Sequence, residues 1–263
     1  MRIRFASLLL LLLLSANAFA LPAHFTEKAD AVPNICQSCF SKIVKWGGKP
    51  HCAPAAISNS LAWLAKNGIP ALQPFQGADP DADQARLMAE LGKYMGTSEH
   101  GGTSPHQVFL GLKKFLEEKN VTYKRFAAVG WRSVPKFVEV DGKSANLDWI
   151  KEGTLGNNSV WLLIGWYKYD AAKDNYAIYD GHWMTVVGYG KNRAGELDPN
   201  ILIVHDPAER SERKNYYASI SSLERGTIDG SRPAKGALRM QGDVVLKPTA
   251  DFGLIQGAYR LDF

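Results

Sequence analysis

The sequence predicts an α+β fold, in which helices come first along the chain and strands follow. Segments with helical periodicity fill the region between residues 53 and 118. After residue 121 the pattern changes to short runs rich in Val, Ile, Trp and Tyr, separated by Gly, Asp and Asn turns. No internal repeat or Pro/Gly/Ser-rich linker divides the chain after residue 20. This segregation predicts one α+β domain over residues 21–263.

The first 20 residues have the features of a cleavable secretory signal peptide. Arg2 and Arg4 precede an unbroken leucine run over residues 8–14, and Ala18 and Ala20 are small residues before a cleavage point near Ala20. The leucine run is too short to span a bilayer of about 30 Å, and a retained anchor is the alternative. We therefore expect an exported chain, secreted or periplasmic, without a membrane span in its mature part.

The composition is that of an ordinary globular protein, with 263 residues of which 46% are hydrophobic and 22% are charged. The formal net charge is +5, and it falls to +3 without residues 1–20, which contain Arg2 and Arg4 but no acidic residue. The sequence has no arginine-rich run and no basic helix with interleaved aromatic residues. We therefore expect no nucleic-acid partner.

Four helical segments are predicted. The first extends from Ala53 to Lys66, with Ile57, Leu61 and Leu64 on one face, and it ends before Gly68. A loop over residues 69–83 separates it from a short helix over residues 84–95.

A third helix begins at a clear capping signal. Ser104 provides the N-cap and Pro105 the first helical position, and an apolar face continues to Leu116. A fourth, short helical segment is expected over residues 147–152. Six strands are predicted after these helices, over residues 121–127, 160–167, 176–179, 183–189, 201–205 and 242–246.

Cys52 lies where the chain enters the first helix. The positive end of the helix dipole and the unbonded backbone N–H groups at that position stabilise a thiolate, which is the nucleophilic form of cysteine. An N–H group at the same helix start also helps to hold a developing oxyanion. A small cysteine packed under the helix is the alternative interpretation.

Two further candidates lie at the ends of predicted strands. His182 begins the strand over 183–189, where it would face a cleft and accept a proton from a thiol; a structural histidine within the sheet is the alternative. Asp206 follows the strand over 201–205. Pairing of these strands as a hairpin would bring Asp206 near His182 and let the carboxylate accept the imidazole Nδ1–H. An Asp-Pro pair that starts a turn is the alternative for Asp206.

The order of these candidates resembles that of papain-like cysteine peptidases. Residues 51–56 (HCAPAA) look like the nucleophile helix of the bacteriocin-processing, or double-glycine leader, peptidases, in which Cys-Gly-Pro-Ala-Ala is typical. Residues 181–189 (GHWMTVVGY) and 204–207 (VHDP) are similar to that family's histidine strand and Asp-Pro strand, and residues 102–105 (GTSP) resemble a turn of its exported relatives. The resemblance covers about residues 46–210 and leaves the tail from about 211 unassigned.

The resemblance implies both a fold and a mechanism. In the papain-like fold, N-terminal helices that include the nucleophile helix pack on an antiparallel β-sheet. Cys52 would be the nucleophile, His182 the general base and acid, and Asp206 the residue that orients the imidazole. Acyl transfer would pass through a thioester that water hydrolyses. The expected partner is a peptide or protein substrate, and neither a cofactor nor a metal is expected.

Two positions depart from the family pattern. Ala53 stands where glycine is usual, which would narrow the approach of a substrate backbone, and Trp46 stands where a glutamine normally completes the oxyanion hole. Gln37 would reach that position only if the intervening loop folds back. A non-catalytic domain that binds a peptide or protein is therefore one alternative to a hydrolase, and a transglutaminase-like acyl transferase is another.

Cys36 and Cys39 form a CxxC motif that has three interpretations. They would form a disulfide, a redox pair, or a zinc site together with His51 and Cys52. No thioredoxin-like pattern surrounds them, and the zinc spacing matches no familiar motif. Once the resemblance assigns Cys52 to the chemistry, Cys36 and Cys39 remain as an even pair. Export then predicts a 36–39 disulfide that leaves Cys52 free.

Overall fold

A mixed α+β architecture is seen in the computed structural model, which describes residues 20–208, 214–244 and 249–263. The predicted signal peptide, apart from Ala20, lies outside these residues. The described helices are α1 (Cys52–Lys66), α2 (Pro80–Tyr94), α3 (Pro105–Glu118) and α4 (Leu147–Thr154). Across the described residues, no helix has the length and apolar character that crossing a membrane requires.

Ten strands in the described ranges form one sheet. They are β1 (Arg125–Gly130), β2 (Glu139–Gly142), β3 (Ser159–Asp170), β4 (Asn175–Lys191), β5 (Leu197–His205), β6 (Tyr216–Ser222), β7 (Thr227–Ile228), β8 (Arg232–Pro233), β9 (Leu238–Gly242) and β10 (Phe252–Asp262). Six of them close into a ring in the order β3, β4, β5, β6, β9 and β10, because β10 pairs with both β9 and β3. Every pair in this ring is antiparallel.

The sheet departs from the expected wholly antiparallel arrangement at two edge pairs. Strand β2 runs parallel to β1, and the short strand β7 runs parallel to the beginning of β4. Both pairs lie outside the closed ring. The long β3–β4 hairpin and the pairing of β4 with β5, on which the predicted site depends, are antiparallel as expected.

Alternation of side chains along the strands separates the two largest hydrophobic clusters of the core. On β3, Trp161 and Leu163 face the helices and pack with the apolar residues of α1, α2 and α3. Their neighbours Leu162 and Ile164 join a second cluster built from β4, β5, β6, β9 and β10. Successive side chains of a strand point to opposite faces, so one strand serves both clusters.

Helix α1 is attached to the sheet by polar contacts as well as by its apolar face. The Thr185 hydroxyl on β4 donates to the Ala56 carbonyl at 2.6 Å, and the Trp161 indole on β3 donates to the Ser60 hydroxyl at 3.1 Å. All four residues are buried. These bonds fix the beginning of α1 over the part of β4 that carries His182.

Several predicted bounds are wrong. The strand predicted over 121–127 is β1 at 125–130, and the two strands predicted over 176–179 and 183–189 are one continuous strand, β4. The strand predicted over 242–246 is replaced by β9, which ends at Gly242, while residues 245–248 lie outside the described ranges.

The predicted loop over 69–83 contains structure at both ends. A 3-10 turn occupies Pro70–Leu72, and α2 begins at Pro80 rather than at Gln84. The reason for the early start is the Asp79 side chain, which caps the helix by accepting from the backbone N–H groups of Asp81 and Ala82. The tail from about residue 211, which the resemblance does not cover, supplies β6 to β10 and completes the ring.

Candidate active site

Cys52 is the first residue of α1 and carries a half-buried, free thiol. No acidic residue lies in the first turn of this 15-residue helix, and the N-cap residue His51 makes no side-chain capping bond. The sulfur therefore lies at the positive end of the helix dipole without a competing anion from the same turn. Reactive cysteines in proteins are often found at this position of a helix.

His182 lies on β4, opposite Ile164 of β3, and is 8% exposed. Its Nε2 atom lies 2.6 Å from Oδ1 of Asp206. The predicted hairpin explains the contact, since β4 and β5 pair with Thr185 opposite His205, and Asp206 follows directly. The sequence prediction named Nδ1 as the atom facing the carboxylate, and this is wrong: Nε2 faces it, which leaves Nδ1 available to a thiol.

Asp206 is fully buried behind the imidazole. Its Oδ1 also accepts from the backbone N–H of Ala208 at 2.8 Å, whereas Oδ2 has no hydrogen-bond partner among the described residues. A buried carboxylate without a full set of donors is costly unless a positive charge faces it. A protonated His182 supplies that charge.

The charge on His182 reflects three competing effects. Burial disfavours the charged ring, but the Asp206 carboxylate, through its charge and its hydrogen bond, and a hydrogen bond with Cys52 together raise the pKa of His182 above its ordinary value. An imidazolium beside a sulfur favours the thiolate. The arrangement therefore places the imidazole of His182 between the free thiol of Cys52 and a buried carboxylate.

Trp166 covers one face of the histidine. The two rings are stacked with centroids 6.1 Å apart and an interplanar angle of 24°, and Trp166 is 1% exposed. Its position on β3 explains the contact, because β3 and β4 are neighbours along this stretch. The indole excludes water from the imidazole and restricts its rotation.

Cys52 and His182 open onto a cavity of about 500 Å³. The loop of residues 99–105 lines one side, and the side chains of Leu163, Trp166 and Trp183 line the other. A hydrogen bond from the Trp183 indole to the Thr103 carbonyl, 3.1 Å long, ties the two sides together. The cavity is large enough for part of an extended peptide and presents its aromatic side next to the reactive pair.

No protein-family model matches the chain, and no curated protein matches it. The functional interpretation therefore depends on the residues themselves. Of the three predicted site residues, Cys52 and His182 line one cavity and Asp206 lies behind His182, although they come from α1, β4 and the end of β5.

The two positions that depart from the family pattern both lie away from this cavity. Trp46 packs against His51 with ring centroids 6.0 Å apart and lines a separate cavity with Gly92 and Thr97. Ala53 is fully buried in the core beside Ile57. The expectation that Ala53 narrows the approach of a substrate is therefore wrong.

Gln37 occupies the cavity in place of Trp46. The intervening loop folds back through Trp46 and Gly47, whose φ angles of 53° and 63° are left-handed. The side-chain nitrogen of Gln37 donates to the carbonyls of Gly48 and Lys49, while its Oε1 has no partner among the described residues. The presence of Gln37 upstream of Cys52 was the sequence signal for a glutamine at the cavity. The sequence does not show that the loop between these two residues reverses its direction.

Cys36 and Cys39 are joined as a disulfide, with Cα atoms 5.4 Å apart, as predicted. Their sulfurs are therefore not available as zinc thiolates, and the described residues contain no group of three or more His, Cys, Asp or Glu side chains arranged to hold a metal. The alternative zinc set of Cys36, Cys39, His51 and Cys52 is not assembled. Cys52 is left as the free thiol.

Proposed function

We propose that this chain is an exported thiol hydrolase of the papain-like type that cleaves peptide or isopeptide amide bonds. The observation that carries the proposal is that Cys52 and His182 line one cavity and that the imidazole of His182 is held by Asp206 at 2.6 Å. Cysteine, histidine and acid in this order are what the resemblance to bacteriocin-processing peptidases implies. The closed antiparallel ring beneath a helix that begins with the cysteine is compatible with the same fold.

The proposed reaction begins with the Cys52 thiolate, which attacks the carbonyl carbon of the scissile amide. Protonated His182 then transfers its proton to the leaving nitrogen, and the C–N bond breaks to leave a thioester on Cys52. A water molecule, deprotonated by His182, attacks the thioester, releases the acid and returns the enzyme to its starting state. Asp206 accepts the Nε2–H throughout and keeps Nδ1 directed at the reacting atoms.

Charge that develops on the carbonyl oxygen requires hydrogen-bond donors. Pro54 has no N–H and the Ala55 N–H donates to the His51 carbonyl, so the backbone N–H groups of Cys52 and Ala53 are the donors at the start of α1. The side-chain nitrogen of Gln37 is already bonded to the carbonyls of Gly48 and Lys49. In this proposal the backbone at the start of α1 therefore provides the principal stabilisation of the oxyanion.

The two alternatives differ from this proposal in what happens after substrate binds. A non-catalytic peptide-binding domain was suggested by Trp46 and Ala53, but neither residue lines the cavity. A transglutaminase-like enzyme would use the same thioester and transfer the acyl group to an amine instead of water. The site geometry does not distinguish these alternatives from a hydrolase. The product that forms after the substrate binds does distinguish them.

The decisive experiment measures the reactivity of Cys52 without a substrate. In the oxidised protein, alkylation by iodoacetamide reports Cys52 alone, because Cys36 and Cys39 are paired. We expect alkylation below about pH 7 to be faster than that of a cysteine in an unstructured peptide. The His182→Ala variant should lose this advantage. Equal alkylation rates in the wild-type protein and in the peptide would overturn the proposal.

Hydrolysis is tested with a library of peptides and isopeptides. Cleavage should be lost in Cys52→Ala and in His182→Ala, and cleavage that survives both variants would contradict the triad. An added primary amine separates the two enzymatic outcomes, since a transferase would incorporate the amine into the product. Rapid alkylation with binding but no cleavage would favour the non-catalytic alternative.

A further inference from the structure

The Cys36–Cys39 disulfide surrounds a residue of the candidate site. Gln37 lies between the two cysteines and lines the cavity that contains Cys52. Cys36 is 1% exposed and Gln37 is 9% exposed, whereas Cys39 is exposed, so the first half of the disulfide loop is packed into the molecule and the second half reaches solvent. A crosslink between residues three positions apart closes a very small loop, and it therefore constrains local geometry more than it constrains the unfolded chain.

Gln37 connects the two segments that carry the site. Its backbone N–H donates to the carbonyl of Pro207 at 2.8 Å, directly after Asp206. Its side-chain nitrogen donates to the carbonyl of Gly48 at 3.3 Å and to that of Lys49, shortly before Cys52. The loop thus bridges the segment that holds the carboxylate and the turn that leads into the nucleophile helix.

The turn before Cys52 depends on this loop for its shape. Trp46, Gly47 and Gly48 have consecutive left-handed φ angles of 53°, 63° and 78°, a conformation that is unfavourable for a bulky residue such as tryptophan. A Cβ atom on Gly48 would lie 1.8 Å from the carbonyl oxygen of Gln37, so the two backbones are in direct contact. Surrounding contacts must hold such a turn in place, and Gln37 provides several of them.

We propose that the Cys36–Cys39 disulfide is a redox-sensitive clamp that sets the geometry of the candidate active site through Gln37. Its catalytic consequence rests on the proposed hydrolase function, whereas its structural consequence does not. Gln37 is a positioning residue here, because it acts by holding the segments next to Asp206 and Cys52. The site is then most active when Cys36 and Cys39 are oxidised while Cys52 remains a free thiol.

The redox step is an ordinary thiol–disulfide exchange with an external dithiol. The S–S bond between Cys36 and Cys39 breaks, each sulfur gains a proton, and the dithiol is oxidised to a cyclic disulfide. Two electrons pass from the dithiol to the two cysteines. The Cys52 thiol is unchanged by the reductant, so any loss of activity cannot be attributed to oxidation of the nucleophile.

The structural test compares backbone hydrogen exchange in the oxidised protein, in the protein reduced with dithiothreitol, and in the double variant C36S/C39S. We expect reduction to increase exchange in the peptides that contain Gln37 and the turn at residues 46–52, with little change in β3 and β4. The double variant should resemble the reduced protein and should not respond to dithiothreitol. Unchanged protection at Gln37 and at the turn after complete reduction would overturn the proposal, whether or not the protein is an enzyme.

The catalytic test follows hydrolysis as the 36–39 disulfide is reduced, with mass spectrometry reporting the fraction reduced. We expect kcat to fall about tenfold with a smaller change in KM, because a small displacement of reacting groups costs rate more than it costs binding. Gln37→Ala, which keeps the disulfide but removes the side-chain bonds, should lower kcat in the oxidised state and respond less to reduction. Equal kcat values in the oxidised and reduced wild-type protein would overturn the catalytic part.

Failure of the clamp and failure of the proposed function give different results. If Cys52 alkylates no faster than a peptide cysteine and no peptide is cleaved, the hydrolase proposal fails, and hydrogen exchange still decides the clamp. If hydrolysis is present but insensitive to reduction, the catalytic part of the clamp fails and the hydrolase stands. Circular dichroism of the double variant establishes that its sheet is formed before either comparison is made.

Discussion

The Nε2 atom of His182 lies 2.6 Å from Oδ1 of Asp206, and the carboxylate in this pair is completely buried. Burial alone would disfavour an imidazolium, so the positive ring depends on the anion behind it. The contact with Asp206 therefore both orients the imidazole of His182 and favours its charged form. Removing the carboxylate should therefore alter the reactivity of Cys52, although Asp206 does not touch the sulfur in the proposed reaction.

Asp206→Asn should slow alkylation of Cys52 near neutral pH. The amide removes the negative charge that holds the pKa of His182 above its ordinary value, so less imidazolium is present to stabilise the thiolate. A fall of one unit in that pKa corresponds to about a tenfold change in the protonated ratio. The rate of iodoacetamide labelling as a function of pH measures the effect, and Asp243→Asn, which alters a surface carboxylate, is the control. A profile identical to that of the wild-type protein would contradict the assigned role of Asp206.

Trp166→Ala should impair both stability and hydrolysis, whereas Trp166→Phe should retain more of each. Trp166 is buried and stacks on His182, so alanine leaves a cavity and frees the imidazole. Truncation of a buried tryptophan typically lowers the free energy of unfolding by about 3–5 kcal/mol. Urea unfolding followed by circular dichroism measures stability, and hydrolysis by the folded fraction measures the second effect. Full activity in folded Trp166→Ala would show that the stacking is dispensable.

Lys28 should make the stability of the protein depend on pH above neutrality. Its Nζ donates to the carbonyls of Thr154 and Asn158 at 2.7 and 2.6 Å, and it lies 4.7 Å from the ring centroid of Trp63. Burial lowers the pKa of Lys28 to about 7, although the nearby Glu27 carboxylate opposes the change.

The sign of this dependence follows from proton binding. In the unfolded chain Lys28 keeps its proton up to about pH 10, whereas in the folded chain it loses the proton from about pH 7 upward. The free energy of unfolding should therefore gain a contribution as pH rises from about 7 to about 10, and lose it as pH falls through about 7. Lys28→Met should remove this slope from urea-unfolding data, while Lys113→Met, on the surface of α3, should preserve it. The same slope in both variants would exclude Lys28 as its source.

Gly48→Ala should be much more disruptive than Gly47→Ala. Both glycines have left-handed φ angles, so each substitution has a conformational cost of about 1 kcal/mol. Only at Gly48 would the new methyl group also collide with the Gln37 backbone, at 1.8 Å, whereas the nearest atom to a Cβ on Gly47 is 3.8 Å away. Thermal unfolding of the two variants measures the difference. Equal destabilisation would indicate that the Gln37 loop is not closely packed on the turn.

Local patterns were sufficient to predict the elements that carry the candidate site. The entry of Cys52 into α1 follows from a helix-compatible run with proline in its first turn, and the β4–β5 pairing follows from two apolar strands on either side of a polar turn. Both features depend on residues close together in sequence. The approach of Asp206 to His182 could be predicted for that reason, whereas the approach of the distant Cys52 was implied by the resemblance to papain-like peptidases.

The missed elements depend on contacts between distant parts of the chain. Strand β10 contains Gly253 and Gly257 as well as Arg260 and Asp262, a composition that does not suggest a strand, yet every residue from Phe252 to Asp262 is buried because β10 lies between other strands. Likewise, the replacement of Trp46 by Gln37 at the cavity depends on a left-handed turn against which the disulfide loop packs. The hydrophobic periodicity of the sequence gives no information about the pairing of β10 or about the packing of the Gln37 loop on the turn.

The closed ring has a consequence for the timing of folding. Strand β10, at residues 252–262, pairs with β1 and β3, which are synthesised much earlier, so the ring cannot close until nearly all of the described chain is available. Such non-local pairing slows folding, because long loops must be ordered before the contacts that compensate for them form. If the chain is the exported hydrolase proposed above, this delay would be protective. The nascent polypeptide would remain translocation-competent, and amide-cleaving activity would emerge only after the chain had left the cell interior.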